Sequence, residues 1–121
     1  MEYLVRMGLL YDFYGVLLTR KQQRVFTCYY MNNLSLAEIA AEEGTSRQAV
    51  HDLLQRTEKI LERWEDKLQL MNKYSLEKEA IREVESELKS LMDTLPNDTE
   101  MNKAFSSLQK SFAKLKSIVL E

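Results

Sequence analysis

The sequence predicts an all-α protein, built as a helix-turn-helix head, one long helix and a C-terminal helical hairpin. Three observations predict it. Only three glycines and one proline stand among 121 residues, too few for the turns that a β architecture needs. Apolar residues recur at steps of three and four along most of the chain, the period of a helix face. Finally, Ser35, Gly44 and Ser46 start, stop and restart a helix within a dozen positions, so two helices meet across a very tight turn.

The elements follow in order. From Arg6 to Leu18, Leu9, Leu10, Phe13 and Leu17 share one predicted helical face. Thr19 reads as an N-cap, and Gln22 three residues later completes a capping box. A second helix runs from Arg20 to about Met31 and carries Val25, Phe26, Tyr29 and Tyr30. Asn32 and Asn33 suit its end, because Asn tolerates the left-handed conformation found there. Ser35 with Glu38 boxes the start of a third, short helix whose apolar face is Leu36, Ile39 and Ala40. Ser46 caps a fourth helix, predicted to run unbroken as far as Ser75 with Val50, Leu54, Leu61, Trp64, Leu68 and Met71 on one face.

Beyond Ser75, the positions Ile81, Val84, Leu88, Leu91 and Leu95 continue the alternation on a fifth helix. Pro96-Asn97-Asp98 is a turn, and Asn97 with Glu100 is a capping-box candidate. A sixth helix then carries Met101, Phe105, Leu108, Phe112, Leu115 and Val119. Such seams need a partner helix. Residues 1–63 are therefore expected to form the helix-turn-helix domain, and residues 64–121 a helical extension that makes a homodimer. On this reading Trp64, Leu68 and Met71 stay uncovered until the extension or a second copy lies over them.

Composition excludes several functions. Apolar content of 45% with 30% charged residues describes an ordinary globular chain. Cys28 stands alone and cannot form an internal disulfide, which points to a reducing compartment, the cytoplasm. No apolar run approaches the roughly 20 residues that span a bilayer, and Arg6 and Asp12 interrupt the N-terminal stretch, so no membrane insertion is expected. There is no glycine-rich phosphate loop, and neither Cys28 nor His51 has metal-ligand or nucleophile spacing around it. The expectation is a protein that is not an enzyme and needs no cofactor or metal. Phe13, Tyr14, Tyr29 and Tyr30 read as core between the first helices rather than as a base-stacking platform.

The motif with a mechanism lies between Leu34 and Lys59. Where two helices cross this closely, the inner positions must be small. Ala40 sits at the crossing, Gly44 makes the turn, and Val50 packs back over both, with Ile39 and Leu53 completing the core. The outward positions of the second helix are then Arg47, Gln48, His51, Asp52, Gln55, Arg56 and Lys59. Arg and Gln in its first turn suit bidentate bonds to guanine and adenine, while Arg20 and Lys21 suit phosphate. From Thr19 to Arg63, however, seven basic residues face six acidic ones, the whole chain carries −2, and Asp52 on the reading face repels phosphate unless it accepts from cytosine. Specific DNA binding and docking to a protein both remain open.

These residues resemble a known family. Leu10-Tyr-Asp-Phe-Tyr, Leu17-Leu-Thr, Lys21-Gln, Tyr29-Tyr, Asn33 to Ala40, Ser46-Arg-Gln-Ala-Val and Arg56 to Leu61 are similar to the YlxM-type helix-turn-helix proteins of Gram-positive bacteria. The central motif alone resembles region 4 of bacterial sigma factors. The specific likeness covers Arg6 to about Leu70, with Gly8, Gly15 and Thr45 as local departures. That family is encoded beside genes of the signal recognition particle (SRP), so the resemblance implies a regulator in that pathway. The implied partners are duplex DNA, or the particle's GTPase or RNA. The resemblance places the recognition helix at Ser46, Arg47, Gln48, His51, Gln55 and Arg56.

Overall fold

A computed structural model describes residues 2–120, and all regular structure among them is helical. The elements are α1 (Tyr3–Tyr14), a 3-10 turn (Gly15–Leu17), α2 (Arg20–Tyr30), α3 (Leu36–Glu43), α4 (Arg47–Leu68), α5 (Leu70–Thr94) and α6 (Thr99–Leu120). Two compact units divide the chain, the first ending at Met71 and the second beginning at Asn72.

Local chemistry sets the first four helices. The Thr19 hydroxyl accepts from the Gln22 N–H at 3.1 Å, and the Gln22 side chain accepts from the Thr19 N–H at 2.9 Å. Ser35 and Glu38 form the same reciprocal box on α3. Gly44 then ends α3 at φ 66°, a conformation a side chain resists. The Thr45 N–H donates back to the Ala40 carbonyl at 3.1 Å, and Ser46 caps α4 through the Ala49 N–H at 3.1 Å. Asn33, as expected, takes the left-handed conformation after α2, at φ 56°.

The helices α1, α2 and α3 all pack on α4. Val25, Ile39, Ala40, Val50 and Leu54 form one buried cluster, with Leu36 and Leu53 packed on its edge. This is the crossing expected of the motif. A second cluster joins Met7, Leu10, Tyr14 and Leu18 to Phe26, Leu61 and Met71. Tyr11 stacks on Phe26 with ring centroids 4.9 Å apart and planes 7° apart. The same ring leaves no room at Gly15, where an added Cβ would come within 2.9 Å of it. Cys28 is part-buried at the edge of the first cluster.

Three expectations change. The buried face of α1 is Met7, Leu10 and Tyr14, continued by Leu18, while Leu9 and Phe13 are only partly covered and Leu17 is exposed. The helix tightens into the 3-10 turn after Tyr14, and Tyr14 can be buried because its hydroxyl finds partners. Tyr29, placed in the core by its neighbours, lies at the surface instead, 38% exposed, with its ring packed edge-on against Tyr30.

The second change is at the end of α4. The helix does not run to Ser75 but stops at Leu68, and Ser75 lies inside α5. Gln69 takes φ 55°, its N–H closing on the Glu65 carbonyl at 2.8 Å and its side-chain amide donating to the same oxygen at 2.7 Å. Side chains on α1 and α4 then cap the new helix. The Leu70 N–H donates to the Tyr14 hydroxyl at 3.0 Å, and the Met71 N–H to Glu65 Oε1 at 2.9 Å. Met71 is buried in the second cluster and Trp64 packs against it. Both therefore need no cover from a second copy.

The third change concerns the second unit, an antiparallel helical hairpin as expected. Glu85 pairs with Lys116, and the Gln109 amide lies 3.9 Å from the Met92 sulfur, so residues advance on α5 as they recede on α6. Asp98, rather than Asn97, caps α6, accepting from the Glu100 N–H at 2.8 Å.

Candidate nucleic-acid interface

The buried cluster under α4 decides which residues of that helix face outward. Val50 and Leu54 point into the head, and one turn on Thr57 is also buried, its hydroxyl satisfied by the Leu53 carbonyl at 2.8 Å. With that face spent, Arg47, Gln48, His51, Asp52, Gln55, Arg56 and Lys59 are all exposed. Ser46 spends its hydroxyl on the cap and positions the first turn.

The structure divides these residues among three grooves. Arg47, Gln48 and His51 line one of about 380 Å³ together with Leu36 of α3. Lys21 and Arg56 meet at a smaller cleft of about 110 Å³ beside Glu43, Thr45 and Ala49. Gln55 and Lys59 line a third, of about 460 Å³, on the side of α1, in the company of Glu58, Glu62 and Asp66. Arg20, in the first turn of α2, is exposed and lines none of them. The first groove sets Arg47 beside no acid, the second sets Lys21 and Arg56 beside Glu43, and the third is dominated by its acids.

Asp52 organises its neighbours. Its carboxylate accepts from the Gln48 amide at 3.0 Å and lies 3.7 Å from His51 Nδ1, and its carbonyl accepts from Arg56 Nε at 3.4 Å. Gln48 is thus held with one amide hydrogen and its carbonyl free to meet a ligand. In the sequence Asp52 reads as a charge that repels phosphate or as an acceptor for cytosine; its bond to Gln48 depends on side-chain rotamers and is not legible there.

The acids counted against DNA binding are partly engaged elsewhere. Glu43 takes a two-pronged bond from Arg24, with Nη2 at 2.7 Å and Nε at 3.0 Å, which holds its carboxyl below the usual range. Glu62 is held the same way by Arg6, at 2.6 and 2.7 Å, and its pKa is likewise lowered. Glu58 accepts the Tyr30 hydroxyl. Burial, then the bond to Glu58, drives the Tyr30 phenol far above its ordinary pKa. Glu38, Glu42 and Asp52 remain exposed near α3 and α4. Among the described residues, no group of three or more His, Cys, Asp or Glu side chains could hold a metal ion. Nor is any helix among them long and apolar enough to cross a membrane.

A four-helix head in which a capped turn leads into an exposed Arg-Gln helix start defines a helix-turn-helix protein. The chain belongs to the UPF0122 family, described as "Putative helix-turn-helix protein, YlxM / p13 like", whose model matches residues 1–110. That is a helix-turn-helix family rather than an enzyme family. The match extends past Leu70, so the family pattern includes α5 and the first half of α6. Relatives include the UPF0122 protein of Bacillus velezensis, 41% identical over 110 residues, covering 91% of this chain and 96% of the relative. The UPF0122 protein of Listeria welshimeri is 44% identical over 96 residues, covering 78% and 87%. That of Bacillus licheniformis is 45% identical over 101 residues, covering 78% and 94%.

Proposed function

We propose that this protein is a cytoplasmic regulator that binds duplex DNA as a homodimer, reading base edges with the first turns of α4. The observation that carries the reading is the start of that helix. Arg47 and the tethered Gln48 stand exposed over one groove, and Lys21 and Arg56 flank it at the adjoining cleft. Arg47 makes no ion pair among the described residues, so its guanidinium is available to guanine or phosphate. Arg24 neutralises Glu43 without changing the balance of the counted residues, whereas Arg6, from outside the counted span, neutralises Glu62 and shifts that balance by one positive charge. A two-fold pair of heads suits a palindromic site.

Asp52 in the middle of the face supports a second reading. In it the same surface docks on the SRP GTPase or RNA, the pathway implied by the resemblance to YlxM-type proteins. A carboxylate favours the protein partner over the RNA. Binding titrations against random duplex DNA, SRP RNA and the purified GTPase, each repeated across salt, separate the two. DNA binding that weakens steeply with salt supports the first. Binding to the GTPase alone rejects it.

A further inference from the structure

The hairpin leaves one stripe of each helical seam uncovered. On α5, Ile81, Leu88 and Leu95 are buried or half-buried, while Val84 and Leu91 are 44% and 46% exposed. On α6, Phe105, Phe112 and Val119 turn inward in the same way, and Met101, Leu108 and Leu115 are 41%, 47% and 51% exposed. Both uncovered stripes recur every seven residues, the repeat of a helix that packs on more than one neighbour. They also share one side, since Leu91, Met101 and Leu108 line a single groove of about 220 Å³ floored by Leu95, Ala104 and Phe105. A second groove on the hairpin is edged instead by the Glu85–Lys116 pair and the Gln109 amide.

We propose that the Leu91–Leu108 face docks the same face of a second copy, closing a four-helix bundle with each α5 beside its partner's α6. Charge selects this occupant. On α5, Glu77, Glu79, Glu83, Glu85, Glu87 and Asp93 outnumber Lys73, Lys78, Arg82 and Lys89, whereas α6 sets Lys103, Lys110, Lys114 and Lys116 against Glu100 alone. A hairpin of one acidic and one basic helix complements itself under a two-fold rotation. Size points the same way. The unit from Asn72 onward contains no cysteine, and units this small commonly gain their stability by association. The inference rests on the homodimer of the proposed function and is independent of its DNA contact.

Sedimentation equilibrium of the full chain at micromolar concentration tests it. The expected mass is twice the 14.3 kDa of one chain. Leu91→Ala with Leu108→Ala keeps helix propensity high and shortens two side chains that are about half exposed, leaving the buried Ile81 and Phe105 in place. It should raise the dimer dissociation constant by at least about tenfold with far-UV helicity retained. Met92→Ala, at the second groove, should leave the constant unchanged. A dimer that persists in the double variant, or that Met92→Ala weakens equally, overturns the docking face and leaves the homodimer standing. A full-length monomer overturns both. A hairpin dimer without affinity for DNA supports the face and removes the DNA reading alone.

Discussion

The hydroxyl of Tyr14 donates to the buried carboxylate of Glu65, 51 residues further along the chain, and together the two side chains cap the start of α5. One hydroxyl and one carboxylate oxygen thereby satisfy the Leu70 and Met71 N–H groups, at 3.0 and 2.9 Å. Free N–H groups at a helix start need such partners, and here they come from two other helices.

Tyr14→Phe should therefore cost about 1–3 kcal/mol, since it strips the Leu70 N–H and Glu65 of a partner without opening a cavity. Glu65→Gln keeps an acceptor oxygen and should cost less. Urea denaturation followed by Trp64 fluorescence reads both, Trp64 being packed on the same cluster. Equal stability of Tyr14→Phe and the parent would remove the cap from the account of the α4–α5 break.

Stability should fall on both sides of neutrality. Burial, joined by bonds to Glu65 and Glu58, raises the Tyr14 and Tyr30 phenols above the ordinary 10.0, so the fold favours their protonated forms. That contribution is complete below about pH 10 and is lost as pH rises further. Glu62 and Glu43 are lowered from 4.5 by Arg6 and Arg24, so their contribution is present above that value and fades as pH falls through it. Denaturation midpoints across pH should show a plateau between two declines. Tyr30→Phe should flatten the alkaline decline, and Arg6→Gln the acid one. An alkaline decline that Tyr30→Phe leaves unchanged argues against the role of this phenol.

Val50 touches both helices of the motif and is 1% exposed. Val50→Asp buries an unpaired charge at the crossing and should cost about 4 kcal/mol or more, enough to unfold the head. Thermal melting by circular dichroism checks this, and an unchanged melting temperature contradicts the placement of the crossing.

At the reading face, Arg47→Ala with Gln48→Ala should weaken binding to a selected site by roughly 1–3 kcal/mol per lost base contact while random duplex suffers less. Arg20→Ala or Lys21→Ala should instead weaken all sequences alike and lower the salt slope by about one per lost phosphate contact. Uniform losses from all four changes would mean that no base is read directly.

Local signals carried much of the fold. Thr19–Gln22, Ser35–Glu38, Gly44 and Ser46 mark helix ends through bonds between residues three or four positions apart, and their partners are readable in order along the chain. The small residue at Ala40 and the apolar Val50 likewise placed the crossing, and the exposed face of α4 followed from it. The face of α1 was misjudged because Tyr14 and Phe13 differ by one hydroxyl, whose value depends on Glu65 far along the chain. Similarly, nothing near Gln69 is a conventional breaker, and the break there stands on α1 and on the buried Glu65.

By itself, then, the sequence determined the helical class, the helix-turn-helix and the family, because period, caps and turn residues act over a few positions. Tertiary structure alone decided where α4 ends, that Met71 and Trp64 belong to the head, and which acids near the reading face are engaged. Each of those depends on hydrogen bonds and packing between residues tens of positions apart, and such pairings exist only once the helices have been brought together.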